Sequence, residues 1–295
     1  MAIQSPSLYS KKSAKRLIYS LFFILLLTPL SVFASTDVYS LDLEQLMNVE
    51  VTTVSKKSQT LMKTAAAVHV ISNDDIRRSG ATSLPEVLRG VPGVQVAQVD
   101  ANKWAVSIRG FNDRFANKLL VMVDGRSVYT PLLTGVFWNM QDMLLEDIDR
   151  IEVIRGPGGA VWGANAVNGV INIITKSADQ TQGTQITFLG GSQEKNLSAR
   201  YGAKLNDQTS FRLFAKGKHV ENFYDTQQYQ ANDQWRNFLT GFRVDSEFDA
   251  NNQWMLQGNY KVGTADQLGI TEFLSRNAIA NQIDYQSGDI LFRWT

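Results

Sequence analysis

The chain has 295 residues, a net charge of +1 and no cysteine. That length suits about two domains. The near-zero charge gives no pull toward nucleic acid, and the missing thiols exclude disulfides and thiolate metal sites. The only imidazoles, His69 and His219, lie in unrelated segments, so neither a zinc centre nor any other cofactor is expected.

In chain order, Lys11, Lys12, Lys15 and Arg16 precede an apolar stretch from Leu17 to Leu30, and Val32-Phe33-Ala34 follows. This is the pattern of a secretory signal peptide cleaved after Ala34. Pro29 and the short apolar run speak against a membrane anchor. Residues 35–59 are polar apart from one β-branched patch, Val49-Glu50-Val51-Thr52-Thr53-Val54. A short strand is not stable alone. The patch is therefore either the first strand of the next domain or a segment that adds to a partner's sheet edge.

Residues 60–178 read as an α+β domain of short helices and a small mixed sheet. Val68 to Ile71 is a strand. Ser72 caps a helix with Asp74 and Asp75 in its first turn and Arg77 and Arg78 near its end, and Gly80 closes it. Ser83 and Glu86 have capping-box spacing for a second helix, ended by Gly90 and Pro92. Val94–Val99, Ala105–Ile108 and the apolar Leu119–Val123 are strands, and Asp124-Gly125 is a hairpin turn signal. The acidic cluster Asp142, Glu146, Asp147, Asp149 and Glu152 lacks the ligand spacing and central glycine of a calcium loop. It reads as a solvated helix start.

Residues 151 to 176, IEVIRGPGGAVWGANAVNGVINIITK, are the most informative run. Two β-branched stretches flank a glycine-rich middle. Gly156 and Gly158 fit the start of a dinucleotide fingerprint, but Val161 stands where the third glycine belongs and a strand-forming sequence follows. No Gly-Lys-Ser/Thr is present for a P-loop. The expectation is strand, tight turn, strand.

From Gly183 onward the chain alternates. Leu197, Ala199, Tyr201, Ala203 and Leu205 oppose Ser198, Arg200, Gly202 and Lys204. Phe211, Leu213 and Ala215 oppose Arg212 and Lys216. Phe238, Phe242 and Val244 oppose Arg243 and Asp245. Trp254, Leu256, Tyr260 and Val262 oppose Met255, Gln257, Asn259 and Lys261. Apolar-out, polar-in strands of this length are the signature of an antiparallel transmembrane β-barrel, with a one-sided soluble sheet as the alternative. About six strands are expected in 179–295, the last from Ile283 to Trp294.

Several runs resemble a known family in order. Ser107-Ile108-Arg109-Gly110-Phe111, Leu119 to Gly125, Ile148 to Pro157, and Trp162 to Lys176 are together similar to the plug domain of TonB-dependent outer-membrane receptors. The resemblance covers about residues 50 to 178. It implies an energy-coupled transporter and not an enzyme, and no nucleophile elbow or placed base argues otherwise. It implies an outer-membrane location, and as partners the energy-coupling protein TonB, outer-membrane lipid and a small-molecule or metal-chelate ligand, without naming that ligand. Val49 to Val54 becomes a candidate TonB box, still beside the reading as the plug's own first strand. Arg109 and Arg155 would pair with acidic side chains of the barrel wall. Arg114 and Phe115 in the loop 111–117, and Tyr129 and Trp138 in the loop 129–138, are ligand-contact candidates. The long polar stretch 222–236 is a candidate extracellular loop. Such receptors have about 22 strands. Six cannot enclose a plug, so an incomplete barrel is expected, with a secreted plug-like binding module as the alternative function.

Overall fold

The computed structural model describes residues 50–51, 53, 59–60, 66–130, 133–224, 229–249, 252–268 and 280–295. The expected signal peptide, and Val49, Thr52 and Val54 of the candidate box, lie outside the described residues.

Two short strands, β1 (Glu50–Val51) and β2 (Gln59–Thr60), pair antiparallel. β3 (Val68–Ser72) leads into α1 (Asn73–Ser79). Ser72 is the N-cap in a full capping box with Asp75, and Gly80 is the left-handed C-cap. α2 (Leu84–Leu88) starts at Ser83, but the expected capping box does not form. The Glu86 carboxylate is held instead by Arg89, at 2.8 Å from both Nε and Nη2, and by the Trp104 indole. A charge-assisted fork outcompetes the weaker cap bond.

β4 (Val94–Asp100) and β5 (Lys103–Ile108) form a separate hairpin. β6 (Leu119–Val123) turns through Asp124 and Gly125 into β7 (Arg126–Ser127). Both turn residues have positive φ, 48° and 79°, as a two-residue hairpin loop demands. β8 (Ile148–Ile154), a one-turn helix α3 (Gly159–Trp162) and β9 (Gly169–Thr175) make up the glycine-rich run. The sheet order is β3-β8-β9-β6-β7, with β6 and β9 parallel. A Cβ at Gly169 would lie 2.6 Å from both Ile108 Cδ1 and the Ile154 carbonyl oxygen, so β9 can start there only with glycine.

Alternation gives this sheet two faces. Val121, Val123, Ile151, Val153, Ile171 and Ile173 enter the main core with Ile76, Leu88, Trp104 and Trp138. Leu120, Met122, Ile154 and Val170 form a smaller cluster with Ala66, Val68 and Trp162 on the other. Glu152 and Asn172 belong to this second face by parity.

The second half is a six-stranded antiparallel sheet in sequence order: β10 (Gly183–Gly190), β11 (Glu194–Lys204), β12 (Thr209–Val220), β13 (Trp235–Asp249), β14 (Asn252–Leu268) and β15 (Ala280–Trp294). It is open, an arc of wall and not a closed barrel. Ile186, Phe188, Leu197, Tyr201, Leu213, Phe238, Tyr260, Ile290 and Phe292 stand exposed on its outer face. Ser198, Arg212, Lys216, Lys218, Asn237, Gln257 and Lys261 are buried on its inner face. The outer apolar face is what a strand wall presents to lipid. The inner polar face is covered by the preceding domain.

Candidate functional site

The inner face of the wall meets that domain through charges. Lys216 Nζ donates to Asp142 Oδ1 at 2.6 Å and to the Met143 carbonyl at 2.9 Å, while Asn237 Nδ2 holds Asp142 Oδ2 at 3.1 Å. Burial by itself raises the Asp142 carboxyl. The ammonium groups of Lys216, Lys218 and Lys261 outweigh this and hold it below the ordinary carboxylate range. Arg200 donates to Asp147 Oδ1, and Arg212 Nε lies 3.7 Å from Asp147 Oδ2. Lys218 pairs with Glu194 of its own sheet at 2.9 Å, and that carboxylate accepts Thr82 Oγ1 at 2.8 Å.

A further cluster centres on Asp124. Its carboxylate accepts Thr175 N and Oγ1, both at 2.9 Å, and Gln257 Nε2 at 3.0 Å. Arg243 Nη1 is 3.9 Å away and donates to Thr175 Oγ1 at 2.8 Å, and Arg293 donates to the Asp124 carbonyl. The residue chosen for the hairpin turn thus also anchors the wall.

These contacts correct the reading of the acidic cluster. Asp142, Asp147 and Glu152 are buried, not a solvated helix start. Unpaired carboxylates would not tolerate that burial. The partners of Asp142 and Asp147 come from strands some 50 to 100 residues later, and Glu152 is held by neighbouring Arg150 and by Thr53, 99 residues earlier; local spacing does not reveal the distant ones. The cations on the polar faces of β11, β12 and β13 were the available signal.

Arg155 Nη1 donates to the Pro92 carbonyl at 3.2 Å. The Arg109 guanidinium lies beside Gly156, and Arg109 itself has a positive φ of 59°. Among the described residues no ion pair joins either arginine to the six-stranded wall.

The two candidate loops meet. A Cβ on Gly135 would lie 2.8 Å from Phe115 Cα, so the backbones touch there. The Phe115 and Phe137 rings pack edge to face at 5.2 Å, and the Arg114 guanidinium stacks 4.9 Å from the Phe115 centroid. Burial lowers the Arg114 pKa, partly opposed by Asp100. Phe111 is 76% exposed, with Lys118 Nζ 4.3 Å from its ring centroid. Residues 107–108, 110–113 and 115–119, with Asn168, line a cavity of about 450 Å³; Arg109 and Arg114 are not in its lining. Tyr129 is half-buried. Trp138, 5% exposed, is part of the core beneath.

The candidate box is docked rather than free where it is described. Val51 and Thr53 are buried. Thr53 is bonded to Glu152, Asn172 and Trp162. The loop between β12 and β13 also docks. Ala101 N donates to Asp233 Oδ2 at 2.8 Å, and Trp235 Nε1 donates to the Ala101 carbonyl at 2.8 Å.

A domain with this mixed sheet, followed by a strand wall that grips it through buried ion pairs, is a plug and part of its barrel. Residues 60–170 match the TonB-dependent Receptor Plug Domain. The chain therefore holds a TonB-dependent receptor plug domain followed by part of a barrel wall.

Among curated proteins it is 31% identical over 233 residues to the vitamin B12 transporter BtuB of Vibrio vulnificus, covering 77% of this chain and 35% of that protein. The Vibrio cholerae transporter is 32% identical over 225 residues, with 75% and 34% covered. The chain therefore spans about a third of the length of these relatives. Among solved structures, the ferripyoverdine receptor of Pseudomonas aeruginosa superposes with a TM-score of 0.59 at 16% identity, over 74% of this chain and 28% of that one. The ferric enterobactin receptor of Pseudomonas aeruginosa gives 0.55 at 18%, over 78% and 38%. At these identities the solved structures speak for the fold alone.

Proposed function

We propose that the protein acts as a TonB-dependent outer-membrane receptor that takes up a scarce ligand by energy-coupled transport. The observation that carries this reading is the buried charge grip between a plug and a wall whose outer face is apolar. A wall of that polarity suits lipid outside and a plugged lumen inside. The vitamin B12 transporters and siderophore receptors it resembles point to a metal chelate as the ligand class, an iron–siderophore or a corrinoid before haem or an oligosaccharide.

Orientation follows from the turns. The connections at 205–208 and 250–251 are short, while 221–234 and 269–279 are long, and in such barrels the long loops face outward. Asp124 and Thr175 sit toward the short-turn end, near Arg243 and Arg293. The loop 111–117, before β6, then opens on the long-loop side. Arg114, Phe115 and Tyr129 are proposed to meet ligand there, with Trp138 supporting them from the core. Arg109 and Arg155 are proposed to face wall acids, and residues 1–34 to direct export.

Val49 to Val54 is proposed as the TonB contact by strand addition. Deleting 48–55 is expected to abolish energised uptake and leave ligand binding intact; unchanged uptake would sink that assignment. Cell fractionation tests the whole reading. Heat-modifiable protein in the outer-membrane fraction supports it, and soluble periplasmic protein refutes it in favour of a secreted binding module.

A further inference from the structure

Thr53 is held by three residues of the glycine-rich run. Its backbone N–H donates to Glu152 Oε2 at 2.9 Å and its hydroxyl donates to the same oxygen. The hydroxyl also accepts from Asn172 Nδ2 at 3.0 Å, and the Thr53 carbonyl accepts from Trp162 Nε1 at 2.6 Å. Donors and acceptors thus come from β8, β9 and α3 onto one residue of the N-terminal segment. Glu152 is 0% exposed, and its other oxygen accepts from Arg150 Nε at 2.9 Å.

An ionised carboxylate with no exposure carries a desolvation cost that an apolar residue on the same strand face would not. What it provides there is a strong acceptor for a residue 99 positions away in sequence. Among the described residues, Val51 burial and the two-residue ladder of β1 with β2 also hold the segment. Such a ladder has little stability of its own.

We propose that Glu152, Asn172 and Trp162 form a clasp for Thr53, and that the opening of this clasp sets how often the N-terminal segment leaves the plug and becomes available to its periplasmic partner. The docking step stands on the geometry above. Only the last step rests on the proposed function. The clasp is built on β8, whose entry residue Asp147 is paired to the wall through Arg200 and Arg212. Asp147, just before β8, and Glu152, within it, thus bring the plug's grip on the wall and part of its grip on the segment within six residues.

The chain has no native cysteine, so Val51→Cys in the full chain gives a single buried thiol whose maleimide labelling rate reports undocking. Adding Thr53→Val removes both side-chain bonds, one to a charged acceptor, and labelling is expected to rise on the order of tenfold or more. Adding Trp162→Phe instead removes one neutral bond and keeps the ring, and a rise of roughly fivefold is expected. Val153→Cys, in the main core, serves as the control and should label no faster in either background. Rates for both Val51→Cys double variants within about twofold of the single, or an equal rise at Val153→Cys, would overturn the clasp. Capture of the full chain by purified TonB periplasmic domain is measured in parallel and should rise with labelling. Faster labelling with unchanged capture keeps the clasp and overturns the partner-contact reading behind its last step.

Discussion

Lys216→Met removes one half of a buried ion pair between wall and plug. Both side chains are nearly sealed, at 4% exposure for Lys216 and 5% for Asp142. The substitution leaves Asp142 with Asn237 and the Met143 N–H as its hydrogen-bond donors, neither of them charged, and strips the Met143 carbonyl of an ammonium partner. Breaking such a pair from one side costs about 3–5 kcal/mol, most of it the burial of a charge without its partner. Asp142→Leu is expected to cost a similar amount, because Lys216 would keep only a carbonyl. The double variant removes both charges and should return to within about 1 kcal/mol of the native chain, or exceed it. Urea unfolding in detergent, followed by the fluorescence of buried Trp104, Trp138 and Trp235, measures all three. Single variants within about 1 kcal/mol of native, or a double variant equal to their sum, would refute the view that this pair is a coupled, desolvated contact.

Acid should loosen the same contact. Because the folded-state pKa of Asp142 lies below its unfolded value, its contribution is complete above about pH 4 and is lost as pH falls through the depressed folded value. Plug protease resistance is expected to hold to about pH 4 and to fail below it in the native chain, with a smaller loss in the Asp142→Leu/Lys216→Met variant. Gly169→Ala would press a methyl against Ile108 and the Ile154 carbonyl; a loss of about 1–3 kcal/mol in the urea midpoint analysis is expected. Arg114→Ala should weaken binding of a vitamin B12 or ferric-siderophore probe while the unfolding midpoint stays within about 0.5 kcal/mol of native. Unchanged binding of every such probe would remove Arg114 from the ligand site. Arg155→Ala is expected to loosen the plug, and unaltered protease resistance would count against its assigned role.

Much of the plug is legible locally. Ser72, Asp75 and Gly80 mark one helix by chemistry acting over a single turn. Asp124-Gly125 marks a hairpin because both positions need positive φ, and β8 and β9 announce themselves by β-branched residues. The strands from Gly183 onward follow from period-2 alternation, which also decides which residues face out. Ser83 and Glu86 show the limit of local reading. Their spacing fits a capping box, yet Glu86 is claimed by Arg89 and by Trp104, the latter from the strand β5.

The site divides along the same line. Sequence alone determined that a glycine-rich strand–turn–strand closes one domain, and that cations line one face of the strands after it. Tertiary structure decided where those cations go. Arg200, Arg212 and Lys216 find Asp147 and Asp142, and the Asp124 turn becomes an anchor for Arg243, Gln257 and Arg293. It also moved Trp138 into the core and fastened Thr53 to Glu152. Turn and helix signals act within a few residues, so a sequence carries them openly. A buried charge is tolerable only beside its partner, and these partners are brought near by the folding of segments 53 to 169 residues apart, which no local pattern records.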